Sequence, residues 1–191
     1  MRDFFVWMNE TPWSIALRES FYTWPIIELT HVATLMIFFG TIVMVDLRLL
    51  GLAFKDTPVS RIDRAVLPWT VGAFAVLVIT GLLLLYSKPL VYFDKFFFRA
   101  KLVLIFLAMI NILVFHFRVQ KNQDEWDTAE KPPQSARISA AISLSAWIVV
   151  IVLGRFIAYD WYDCPKLKPG GFMHTFSGCP VYEVQNTGGA L

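Results

Sequence analysis

Residues 26–40, "IIELTHVATLMIFFG", have the length and apolarity of the start of a membrane-crossing helix, yet they hold Glu28 and His31 on one face. An acid and an imidazole at that depth are expensive in hydrocarbon, so they need partners inside the protein or a ligand to hold. The surrounding chain fits a bilayer: 57% of its 191 residues are hydrophobic and 16% aromatic, and mean hydropathy is +0.56. Soluble domains run at about 45–50% apolar.

Four stretches reach the roughly 20 apolar residues that a span requires. They are Pro25 to Leu50, Trp69 to Tyr86, Phe96 to Phe117 and Ile138 to Tyr159. The expected fold is an all-α integral membrane protein, a four-transmembrane-helix bundle over residues 1–159 with an extramembrane C-terminal tail over 160–191. An even number of spans puts both termini on one side, the terminal face. Thr11 before Pro12 is a helix cap followed by proline at the first helical position. One short amphipathic helix therefore ends near Glu10 and another runs from Pro12 to about Ser20, both interfacial, with Phe4, Phe5, Trp7, Trp13 and Leu17 at headgroup depth. The first twenty residues lack the continuous apolar core of a cleavable signal peptide.

"GLAFKDTPVSRIDRAVLP" (51–68) and "RVQKNQDEWDTAEKPPQSAR" (118–137) read as polar loops punctuated by proline, and "SKPLVYFDK" (87–95) as a tight turn. A net charge of +2 gives no basic surface for nucleic acid. Lysine and arginine counts on the two faces are close to equal, and setting Lys101 and Arg155 aside tips them toward cytoplasmic long loops. Cys164 and Cys179 bracket a Gly-Gly turn, where a disulfide would contribute about 3 kcal/mol. Such a bond belongs in an oxidising compartment, which places both termini in the periplasm of a bacterial inner membrane; two free thiols are the alternative.

Counted at about 1.5 Å per residue from the middle of each span, His31, Lys101 and Arg155 all lie ~10 Å toward the terminal face. Three helices thus bring a histidine, a lysine and an arginine to one layer. His116 falls ~20 Å or more from His31 in depth, so the two cannot ligate one iron from opposite sides. It is level with Asp46 and Arg48, where a polar link between the first and third spans is expected. His174 lies in the tail loop and reaches the His31 layer only if that loop folds back.

A porphyrin suits such a layer, because neutral imidazole is a usual axial ligand and helical bundles build haem sites from facing side chains. On this reading haem b is the cofactor. His31 is the axial ligand, Lys101 a second metal ligand or a propionate partner, Arg99 and Arg155 propionate anchors, and Glu28 the hydrogen-bond partner of His31. The competing reading is a pair between Glu28 and Arg155 or Lys101 that orients helices.

"ELTHVATLMIFFGTIVMVDLRLLG" and "FFFRAKLVLIFLAMINILVFHFR" resemble the superfamily of four-span membrane proteins that includes HemJ-type protoporphyrinogen oxidases and CopD-like domains. The common pattern is a histidine early in the first span and an aromatic-x-x-lysine start to the third. The arrangement "RES...P-I-I-E-x-x-H...DLRLLG" is similar to a bacterial four-span family of unassigned function. The resemblance implies haem b at His31 and Lys101. The sequence departs from the HemJ pattern in lacking its tyrosine-proline-arginine continuation after the first-span glycine.

Three functions are open at this level: electron transfer by a b-type haem protein with a quinone or a periplasmic redox partner, porphyrinogen oxidation of HemJ type, and a non-redox subunit organising a membrane complex. Copper handling would use clustered methionines, and none of the six pairs beside His31.

Overall fold

In a computed structural model, residues 2–159, 166–177 and 179 are described. Eight α-helices are found there and no strand: α1 (Arg2–Glu10), α2 (Pro12–Glu19), α3 (Thr23–Leu49), α4 (Val59–Ser87), α5 (Pro89–Phe93), α6 (Phe96–Val114), α7 (Gln134–Phe156) and α8 (Phe172–Ser177). Helix α6 continues as a π turn, Phe115–Val119, and a 3-10 turn, Gln120–Glu125. Four helices are long and apolar enough to cross a membrane, namely α3, α4, α7 and α6 with its extension. Lipid offers backbone groups no partners, so spanning segments close their hydrogen bonds within the helix. Cys164 of the expected disulfide lies outside the described residues.

The bundle is two pairs. Helix α3 lies along α4, α6 lies along α7, α3 joins α7, and α4 and α6 barely touch. Phe38, Ile42, Ala73, Leu77, Ala108, Ala146, Trp147 and Val150 form the central core. Phe38 meets Trp147 edge-on with ring centroids 4.6 Å apart, and alanines at the crossings let the backbones approach closely.

At the long-loop end, Arg48 is fully buried. Its Nε donates to the Thr57 carbonyl at 2.7 Å, and its Nη2 donates to the carbonyls of Ala129 at 3.0 Å and Asp127 at 3.4 Å. One guanidinium therefore joins both long loops to the end of α3. A reciprocal pair links α6 to α7: Asn111 Nδ2 donates to the Ser139 carbonyl at 3.0 Å, and Ser139 Oγ donates to Asn111 Oδ1 at 3.1 Å.

The structure corrects the expected organisation in three places. Helix α4 begins at Val59, ten residues before the expected Trp69, and runs through Pro68. Its extra turns exist because Ile62 and Val66 bury one face and because Asp127 of the other long loop caps them. Asp127 Oδ1 accepts from Ser60 N at 2.7 Å and Oδ2 from Ser60 Oγ at 2.6 Å. The expected tight turn contains the short helix α5. The N-terminal helices have the expected bounds, and the Thr11 cap accepts from Ser14 N, but they are docked on the bundle and do more than lie in the interface. Ser14 is fully buried and its hydroxyl donates to the Tyr86 carbonyl at 2.8 Å. Trp24 Nε1 donates to Ser87 Oγ at 3.1 Å.

Partial burial of Asp127 opposes its charge, but the bonds from Ser60 and Gln123 and the nearby Arg64 outweigh that and hold the carboxyl below its usual range. A depressed folded-state value stabilises the fold above the unfolded carboxyl value of about 3.9 and ceases to do so as pH falls through the folded value. Asp127→Ala should thus cost about 1 kcal/mol at pH 7 through loss of the cap. Thermal melts of wild type and variant should converge as pH is lowered below about 4; an undiminished difference there would contradict the carboxylate's role.

Candidate functional site

The His31 imidazole projects from α3 onto α4, where its Nδ1 lies 2.8 Å from Thr80 Oγ1. A threonine hydroxyl has one proton, and that of Thr80 is directed at the Val76 carbonyl, 2.7 Å away. With the hydroxyl proton on Val76 the oxygen accepts from His31, an arrangement in which Nδ1 carries the ring hydrogen and Nε2 keeps its lone pair. Gly81 makes the approach possible. A Cβ there would stand 3.3 Å from His31 Cε1, tighter than ordinary packing.

Across the bundle, Lys101 extends from α6 against α7 in a second notch. A Cβ at Gly154 would stand 3.3 Å from Lys101 Nζ. No hydrogen-bond or ion-pair partner of this ammonium occurs among the described residues, and the charge is near enough to act electrostatically on His31. His31, Thr80 with Gly81, Lys101 and Gly154 thus come from all four spans. Together they form a half-buried layer with one acceptor nitrogen and one positive charge.

The other expected site residues lie elsewhere. Arg99 Nε donates to the Phe93 carbonyl at 2.9 Å, and its Nη1 donates to the Phe176 carbonyl at 2.8 Å. Its guanidinium covers the Phe93 ring at 4.3 Å, so it ties α5 to α8. Arg155 is exposed at the end of α7, 5.3 Å over the Tyr159 ring. Glu28 is exposed and does not bond His31, whose partner is Thr80. Its carboxylate is near Tyr92, whose phenol is pushed up by burial and further by that charge.

His116 does not join α3. Its Nδ1 meets Gln120 Oε1 at 2.7 Å, and Gln120 Nε2 donates to Asp63 Oδ2 at 3.3 Å, so the link runs to α4. His174 is buried in α8. No cluster of three or more His, Cys, Asp or Glu with metal-binding geometry occurs among the described residues. A cleft of about 380 Å³ lies between the long loops, lined by Lys55, Asp56, Thr57, Pro58, Thr128 and Glu130. It is at the opposite end of the bundle from His31.

Thr80, Gly81 and Gly154 were not expected as site residues. The one available signal was "TG" interrupting the apolar run of the second span, seven residues from its end, a depth matching His31 at eight residues from the start of α3.

The His31 tautomer is directly testable. ¹⁵N spectra of histidine-labelled protein in detergent should show His31 protonated at Nδ1 and free at Nε2. Thr80→Val should shift that equilibrium and cost about 1 kcal/mol. An Nε2-protonated ring in the wild type would contradict the network.

No curated protein and no solved structure matches the chain. The profile of the family of unknown function DUF6644 matches residues 22–160, which include all four spans and every residue of the His31 and Lys101 layer. The chain belongs to that family, DUF6644.

Proposed function

We propose that the protein is an integral membrane b-type haem protein that transfers electrons. The observation that carries this reading is the His31 network. Its Nδ1 lies 2.8 Å from Thr80 Oγ1, a contact that sets the ring orientation and, with the ring hydrogen on Nδ1, leaves Nε2 as the ligand atom. The resemblance of the first and third spans to HemJ-type and CopD-like proteins supports the same assignment.

Haem b fits the donor set. The layer holds one neutral-imidazole nitrogen and a cation with no acidic partner among the described residues, which suits an iron ligand beside acceptor groups. Exposed Arg155, at the terminal-face end of α7, is placed to receive a propionate. Arg99 is not, because the carbonyls of Phe93 and Phe176 occupy it. When bound, haem supplies a one-electron couple. The chain's residues orient the ligand nitrogen, compensate negative charge and, with Phe38 and Trp147 beneath, separate the layer from the far end of the bundle.

The termini are assigned to the periplasm of a bacterial inner membrane. With Lys101 and Arg155 counted as site residues, the basic side chains favour the long loops, as cytoplasmic loops do.

The test is a reduced-minus-oxidised visible spectrum of protein purified from haem-supplied cells. A b-type spectrum is expected in the wild type and in His116→Ala, with at least tenfold loss in His31→Ala. A folded wild type without haem, or a spectrum that survives His31→Ala, overturns the reading.

A further inference from the structure

Phe38, Ile42, Asp46 and Leu49 recur at helical spacing along the buried stripe of α3, so one carboxyl stands in line with three apolar side chains. Phe38 and Ile42 belong to the central core, and Leu49 to a second apolar cluster with Val59, Ala136 and Ala140, which leaves Asp46 between the two. The residue is only 5% exposed. The Ser143 side chain of α7 is hydrogen-bonded to this carboxyl, but its Oδ2 is buried with no partner among the described residues. Ser143 and Ser139 are one turn apart on α7, and Ser139 is paired with Asn111, so a short polar strip runs from α3 across α7 to α6.

Asp46 is in none of the ion pairs found among the described residues. Arg48, two residues on, is held by the long loops through Nε and Nη2, and its Nη1 is likewise buried without a partner there. Arg61 and Arg64 of α4 and Arg137 of α7 are exposed, and Asp63 of α4 is bonded to Gln120. Between Lys101 and His116, α6 has no charged residue. An ionised carboxylate so placed gives up water at about four acceptor positions for the single bond from Ser143. A hard metal cation such as calcium takes about 6–8 oxygens, and no group of three or more His, Cys, Asp or Glu fit to hold a metal occurs among the described residues. A proton needs one oxygen, and the neutral acid it forms is far less costly to bury.

We propose that Asp46 is an intramembrane proton-binding site, its carboxyl taking one proton from water and holding it beside Ser143. The step is a proton transfer alone: an O–H bond of a hydronium ion breaks, a carboxyl O–H bond forms, and no electron moves. Asp46 is three residues, ~5 Å, from the end of α3, so its nearest water is at the long-loop end. Along the helix it is ~22 Å from His31, and the site does not depend on the haem reading.

The experiment records infrared spectra of the full chain in phosphatidylcholine nanodiscs at neutral pH. The carbonyl band of a protonated carboxyl is expected, moved by ¹³C labelling of aspartate carboxyls and by transfer to D₂O. It should vanish in Asp46→Asn, persist in Asp63→Asn, and rise in frequency in Ser143→Ala, which keeps the carboxyl and removes its hydrogen bond. The label and Ser143→Ala identify the band even where Asp46→Asn does not fold. Absence of a labelled band in the wild type overturns the site, since it marks an ionised carboxylate of the kind a water bridge to Arg48 would hold. A band that survives Asp46→Asn or ignores Ser143→Ala also overturns it. Loss of the band on adding sodium chloride would assign the carboxyl to a metal cation, and a band unmoved after prolonged incubation in D₂O would mark an acid closed to water; either result contradicts the proposal.

Discussion

A polar side chain inside a lipid-facing bundle must find its partner within the protein, and that requirement organises this molecule. His31 meets Thr80, Nε and Nη2 of Arg48 meet three loop carbonyls, and Asn111 and Ser139 meet each other. Each arrangement joins separate segments: α3 to α4, α3 to both long loops, α6 to α7. Apolar contact distinguishes one helix register from another only weakly where lipid is as oily as leucine. The polar pairs fix the registers, and the aromatic core around Phe38 and Trp147 fills the space between them.

The spans were legible in the sequence because length and apolarity are local properties. The start of α4 was not, since its cap, Asp127, is 67 residues away from Ser60 and no local pattern announces it. Pro68 misled for a related reason: proline costs a helix one bond, but turns already capped and buried through Ile62 and Val66 tolerate it. Within the site, counting residues along each span brought His31 and Lys101 to one level. Their supports were hidden, because a threonine and two glycines carry no charge to mark them. Glu28 was misassigned as the partner of His31 because a charge three residues away is conspicuous, whereas Thr80 lies on another helix. The arginines show the same limit: Arg99 and Arg155 differ in the structure through backbone carbonyls that composition does not display.

The two helix pairs also fix where the His31 layer lies. Because α4 and α6 barely touch, the His31 layer lies between units joined mainly through α3 and α7, and α6 presents most of its surface to lipid. The terminal face above it is closed by α1, α2, α5 and α8, with Phe5 against Phe93 and Arg99 holding α8.

The central claim is that His31 Nε2 binds iron. Crystals of the haem-supplied protein, measured at the iron absorption edge, would locate the metal directly. The account predicts one anomalous peak within coordination distance of His31 Nε2, between the α3/α4 and α6/α7 pairs. A peak beside His116, or none in fully haem-supplied crystals, would contradict it.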